Sequence, residues 1–292
     1  RDTTPQQGGE AWLKVADAPV TDRFQKACDA FGIPTTYTDL PAAIPPEERY
    51  PHREDAQLYL RVLVHDQRIA DWVSAMAIAD DAPDVIWAEF VATDTIQHYS
   101  GYKSDLAQES VAQADMALGK IIGHLSRVGT LDEWNIAVMS DHGHSVVETC
   151  IFANVVLPGV KITPEGCSLL VATDDTAELD RVTQTLAEYD VEPFSNECVP
   201  PQYRDTVHVF VAPPGVSFET APEGVTDPTG VPKAISTHGL KPGLPGDDRF
   251  ALFAGPDVPQ GVVDEADPRQ VAPTLAKLLD LDTTDYPTAA LF

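Results

Sequence analysis

Two short stretches of this chain combine carboxylate and imidazole groups at spacings that suit divalent-metal chemistry, and a third offers a single histidine. The first is Asp94-Thr95-Ile96-Gln97-His98, closed by Gly101. Residues four apart share one face of a helical turn, so Asp94 and His98 can reach one ion. The second is Ser140-Asp141-His142-Gly143-His144. Neighbouring residues of a strand point to opposite faces, so Asp141 and His142 can share an ion only where the strand breaks. Gly143 tolerates such a turn. The third is Thr237-His238-Gly239, which by itself means little. A D-x-x-x-H match arises often by chance, and residues 140–144 also read as a surface loop after a strand. Carboxylate and imidazole donors suit Zn²⁺ or Mn²⁺ better than Mg²⁺ alone. Two such ions about 4 Å apart can clamp the attacking and leaving oxygens of an in-line displacement at phosphorus.

The elements that would position these groups are legible as a pattern. Residues 54–79 are helical, with Leu58, Val62, Ile69 and Met76 on compatible turns. Residues 85–91 form a nearly continuous apolar run, as expected of a strand buried on both faces of a parallel sheet, with Trp87 and Phe90 in the core. Ser104 is placed to cap a second helix, in which Ala107, Val111, Ala114, Leu118, Ile121 and Leu125 recur at steps of three and four. Gly129 would end it, and residues 135–139 form a further buried strand. Helix, strand, helix, strand is the order of a βαβ unit, whose chemistry sits at the carboxyl ends of its strands. The first two motifs fall there. Strands are expected at 168–172, 206–211 and 249–254, and helices at 22–31, 176–189 and 267–281. The last opens on Asp267-Pro268.

In this order, D-x-x-x-H, S-D-H-G and T-H-G resemble the alkaline phosphatase superfamily, most closely its type I phosphodiesterase / nucleotide pyrophosphatase branch. The resemblance runs over residues 50–281. It takes in the helix with Gln113-Ala114-Asp115 and the closing Val271-Ala272-Pro273-Thr274-Leu275-Ala276-Lys277-Leu278-Leu279. It implies an α/β fold, an alkaline-phosphatase-like three-layer α/β/α sandwich with an inserted small αβ lobe. Residues 1–144 and 236–292 would form the catalytic core and residues 145–235 the lobe. It assigns Asp94, His98 and His238 to one divalent ion and Asp141 and His142 to a second. The implied activity is hydrolysis of phosphodiesters or nucleotide pyrophosphate-type bonds of a small phosphoester through a phosphoenzyme. Phosphomonoesterase, sulfatase and phosphomutase remain alternatives within the superfamily, and a non-catalytic metal-binding domain is the alternative outside it. The branch also uses an Asp from a first strand and a Thr or Ser nucleophile upstream of D-x-x-x-H. Residues 1–93 show no buried strand ending in Asp, and Thr3 and Thr4, which follow Asp2, are not expected to serve as nucleophiles. The nucleophile is therefore not identified, and this chain is expected to hold its second ion weakly and to turn over little.

Composition narrows the partners. There are 46 acidic residues against 19 basic, a net charge of −27, spread along the whole sequence. Such a surface repels nucleic acid and anionic membranes and is that expected of a halophile. No apolar run reaches the roughly 18 to 20 residues of a membrane span. No signal peptide or P-loop is visible, and a cytoplasmic location is expected. Cys28, Cys150, Cys167 and Cys198 are far apart and form no C-x-x-C pair, so they read as free thiols. His65 and His124 fall in helical patterns, His208 in a strand and His52 in a loop. His144 reads either as a hydrogen-bond partner to a ligand or as an exposed loop histidine.

Overall fold

The computed structural model of the chain describes residues 51–292. The helix expected at 22–31, the prolines Pro41, Pro45 and Pro46, and Thr3 and Thr4 lie outside the described residues.

Two long helices follow the periodicity that forecast them. α1 (Pro51–Ala77) and α3 (Asp105–Val128) bury Ala70, Ala77, Ala117, Ile121 and Leu125 together. Lys120 pairs with Asp71 across them. α3 starts where its chemistry dictates, because the Ser104 hydroxyl accepts the Ala107 N–H at 3.1 Å. It ends at Gly129, whose φ of 81° lets its N–H return to the Leu125 carbonyl. Its apolar stripe is turned slightly from the expected one: Ser110 is buried and Val111 is exposed. His52 lies in the first turn of α1 rather than in a loop.

The run at 85–91 is not a strand. No strand among the described residues pairs with it. Ile86 and Phe90 pack on the α1–α3 core, while Val85 and Trp87 are 53% and 77% exposed. An apolar run becomes a doubly buried strand only where partners satisfy its backbone on both edges, a condition its composition cannot express. The expected parallel crossover is likewise not formed among the described residues. β1 (Ile136–Met139) appears where expected but pairs antiparallel with β11 (Ala251–Ala254).

The rest of the chain is built from small sheets. β2 (Ser145–Val146) pairs antiparallel with β10 (Ser236–Thr237). β3 (Thr149–Phe152) lies parallel to β8 (Val216–Glu219) and antiparallel to β9 (Thr229–Gly230). A one-turn helix, α4 (Ala153–Val156), follows β3. β4 (Lys161–Glu165), β5 (Ser168–Ala172), β6 (Glu192–Pro193) and β7 (Val207–Val211) form an antiparallel sheet of order β4-β5-β7-β6. Helix α5 (Thr176–Ala187) is capped by the Asp175 carboxylate on the Ala177 N–H. Its Val182 and Leu186 join Leu169, Val171 and Phe210 in the largest core cluster. A short 3₁₀ turn, Pro268–Gln270, opens on a capping box of Asp267 and Gln270 and leads into α6 (Val271–Leu278). That helix stops short of residue 281. Asp280 turns left-handed at φ 54°, and the Leu281 N–H bonds back to the Ala276 carbonyl at 2.9 Å.

The chain divides into two compact units. One holds residues 51–95 with Gln108–Trp134, and the other Ile96–Ala107 with Asn135–Phe292. A nine-residue helix, α2, spans Ala92–Ser100.

Candidate metal centre

α2 carries both Asp94 and His98. Its first turn is anchored by a buried carboxylate: the Asp66 oxygens accept the Val91 and Ala92 N–H groups, each at 3.0 Å, and Asp66 is 2% exposed. The leading N–H groups of a helix have no partner within it, and a negative charge there is favourable. Asp66 thus holds the N-terminus of the helix that presents Asp94. Its one signal in the sequence is its place four residues after Val62, a charge on the apolar stripe of α1. Replacing Asp66 by Asn removes the charge and one of the two acceptors. The expected cost is about 2 kcal/mol of stability, read by denaturant titration. Divalent-metal affinity should fall about 10- to 100-fold.

The other histidines arrive through backbone pairing. Antiparallel pairing of β2, directly after His144, with β10, directly before His238, brings the second and third motifs side by side. The Ile235 N–H donates to the His98 carbonyl at 2.9 Å, tying the end of α2 to the same strand. His238 is locked from behind, where its carbonyl accepts the Cys167 N–H at 2.8 Å. Gly166 and Gly239 permit this approach. A Cβ on Gly166 would lie 2.5 Å from the His238 carbonyl oxygen, and one on Gly239 would lie 2.6 Å from that of Glu165.

Four imidazoles therefore meet. The His142 and His238 rings stack at 3.8 Å between centres; His98 lies 5.0 Å from His238 and 4.8 Å from His144. His98 Nδ1 lies 2.9 Å from the Ser236 carbonyl, which can only accept, so Nδ1 carries the proton and Nε2 is the nitrogen with the lone pair. His142 Nδ1 faces the Gly143 carbonyl at 3.2 Å, while its Nε2 lies 3.3 Å from Asp141 Oδ2. A neutral imidazole can donate to only one of these oxygens, so a cation between Nε2 and Oδ2, proton or metal ion, satisfies the arrangement. The 3.3 Å separation is about the ligand–ligand edge of a tetrahedral site with bonds of roughly 2.0–2.2 Å.

Among the described residues, two groups of donor atoms each lie within 4.8 Å of one another: Asp94, His98 and His238, and Asp94, His142 and His144. Asp94 is common to both. Asp141 belongs to neither; its side chain is 76% exposed and its Oδ1 accepts the His142 N–H at 3.0 Å. His144 is 6% exposed, not a surface histidine. Ser140 continues the β1–β11 ladder, its N–H donating to the Phe250 carbonyl and its hydroxyl accepting the Phe250 N–H, both at 3.1 Å. The carboxylate-plus-imidazole set fits a divalent metal ion.

The sequence model of the type I phosphodiesterase / nucleotide pyrophosphatase family matches residues 2–214. That span contains four of the five residues in the two donor groups and stops short of His238. The structure of human ectonucleotide pyrophosphatase/phosphodiesterase 5 is similar at a TM-score of 0.55 and 17% identity, covering 78% of this chain and 61% of that one. The murine protein of the same name, solved alone and as an inactive variant in complex with AMP, gives 0.49 and 21%, covering 65% and 52%. The human likeness establishes an alkaline-phosphatase-like α/β fold. The chain spans about half to three-fifths of the length of these relatives. No curated protein sequence matches it.

Proposed function

The chain belongs to the type I phosphodiesterase / nucleotide pyrophosphatase family, and on that premise we propose that it hydrolyses phosphodiester or nucleotide pyrophosphate-type bonds of small phosphoesters at the histidine cluster. The observation that carries this reading is the meeting of His98, His142 and His238, from three distant stretches of sequence, around the Asp94 carboxylate. Asp94, His98 and His238 would hold one divalent ion, Zn²⁺ or Mn²⁺, and Asp141 and His142 the second. Bound there, the ions supply positive charge that stabilises the charge developing on phosphoryl oxygens. The protein's own part is orientation. The Ser236 carbonyl fixes the His98 tautomer, Asp66 steadies the helix that carries Asp94, and the Gly166–Gly239 contact holds His238 in place. Residues 145–235 are read as a lobe set into the catalytic core.

Hydrolysis of bis(p-nitrophenyl) phosphate, p-nitrophenyl phosphate and p-nitrophenyl sulfate by the native protein tests the reaction class. The diester should be preferred, and His98→Ala and Asp141→Ala should each remove that activity. Preference for the monoester or the sulfate would move the protein to another branch of the superfamily.

We also read the surface as halophilic. A net charge of −27 repels itself in dilute buffer and is screened within about 3 Å at 1 M salt. The melting temperature should therefore rise from dilute to molar KCl; a flat or falling curve would leave only an acidic protein. No helix of the described residues is long and apolar enough to cross a membrane. Cys150, Cys167 and Cys198 are free thiols, with burial pushing Cys150 up to about 11 and Cys167 up to about 12. Unpaired thiols suit a reducing, cytoplasmic setting.

A further inference from the structure

We infer that His144 is a metal ligand in its own right, joining Asp94, Asp141 and His142 around the second ion. The inference rests on the metal-centre reading above but adds a residue to it. Asp141 and His142 alone give that ion two ligands, and Asp141 is mostly in solvent. His144 stands on the buried side. It is 6% exposed, its ring centre lies 5.5 Å from that of His142 and 4.8 Å from that of His98, and its donor atom falls within 4.8 Å of those of Asp94 and His142.

Its orientation is set by the residue that sets His98. Ser236 is fully buried; its backbone carbonyl takes His98 Nδ1 at 2.9 Å, and its hydroxyl lies 3.2 Å from His144 Nδ1. Both Nδ1 atoms are thereby occupied, and both rings offer Nε2 as the ligand atom. A hydrogen bond at the remote nitrogen is what fixes the tautomer and aim of a ligating imidazole. One serine thus aims one histidine at each ion, and the i, i+2 spacing of His142 and His144 across Gly143 sets the two rings at the same centre.

Titration of the metal-free native protein with Co²⁺, followed by calorimetry and by visible absorption, tests this without reference to turnover. The wild type should take up two equivalents. His144→Ala and His144→Gln should retain the first at near wild-type affinity and lose at least 100-fold at the second. Ser236→Ala should weaken both sites, by about 10- to 100-fold. Should a variant fail to fold, as judged by circular dichroism of the apo form, the Co²⁺-loaded wild type decides. Its paramagnetically shifted NMR spectrum should show ring resonances from four histidines, and only three would overturn the inference. Two-ion uptake unchanged in folded His144→Ala and His144→Gln would also overturn it, leaving the metal centre intact. A wild type that takes up no ion would overturn both.

Discussion

Replacing His238 by alanine is expected to reduce kcat/KM for bis(p-nitrophenyl) phosphate on the order of 10³-fold and to cost the protein its tighter divalent ion. The size follows from what the ring does. His238 is one of three donors in the group with Asp94 and His98, and it stacks on His142 at 3.8 Å. Its loss leaves two protein donors and removes the wall against which His142 rests. Charge stabilisation by a bound ion contributes several kcal/mol at the transition state, and each 1.36 kcal/mol is tenfold in rate. The measurement pairs steady-state kinetics with metal content after dialysis. His208→Ala is the control, because that ring sits on β7 with its Nε2 on the Thr173 carbonyl, away from the cluster. Equal losses from both substitutions would point to general destabilisation. Wild-type metal content in His238→Ala would remove it from the ligand set.

Gly143→Ala should be nearly as damaging, although it adds a single methyl group and touches no donor atom. Gly143 is required for space, not for a left-handed turn. A Cβ there would run into the Gly246 carbonyl oxygen and lie 2.9 Å from that of Asp248. Both obstacles are backbone, so neither can swing aside as a side chain would. The loop carrying Asp141, His142 and His144 must shift instead. Overpacking of this kind costs about 1–3 kcal/mol, and a displacement of about 1 Å at a reacting centre costs on the order of 10²-fold in rate. The expected result is a modest fall in unfolding midpoint with a disproportionate loss of activity and of second-ion affinity. A fall in stability alone, with wild-type kinetics, would show that the loop absorbs the methyl.

These two residues also mark how far a sequence can express a site. His238 stood in a three-residue motif of no weight by itself; its meaning came from its order after D-x-x-x-H and S-D-H-G. Gly143 reads in the sequence as a turn residue, whereas the structure needs it for space, because a glycine's neighbours across space leave no trace in its own sequence. Helix ends were legible because they are local chemistry: Ser104, Gly129 and Asp267 act on backbone a few residues away. The run at 85–91 was not, because strand formation depends on partners elsewhere. Asp66 and Ser236 act over 25 and 138 residues of sequence, and nothing in their immediate neighbours announces it. The sequence alone admits two readings of His144, because burial, which separates them, is a property of the fold.

The donors of the cluster are far apart along the chain, and that separation has a thermodynamic consequence. An ion gripped by His98 and His238 closes a loop of about 140 residues, as a covalent staple would, but one that a chelator can open. By the chain-entropy estimate a cross-link over such a loop disfavours the unfolded ensemble by about 5 kcal/mol, comparable with the whole stability of many domains. The same atoms that would polarise a phosphoester would then also act as the clasp of the polypeptide. Stripping the metal would do more than silence the chemistry: it would release a tie between distant parts of the sequence, and the protein's resistance to unfolding would follow the free metal concentration around it.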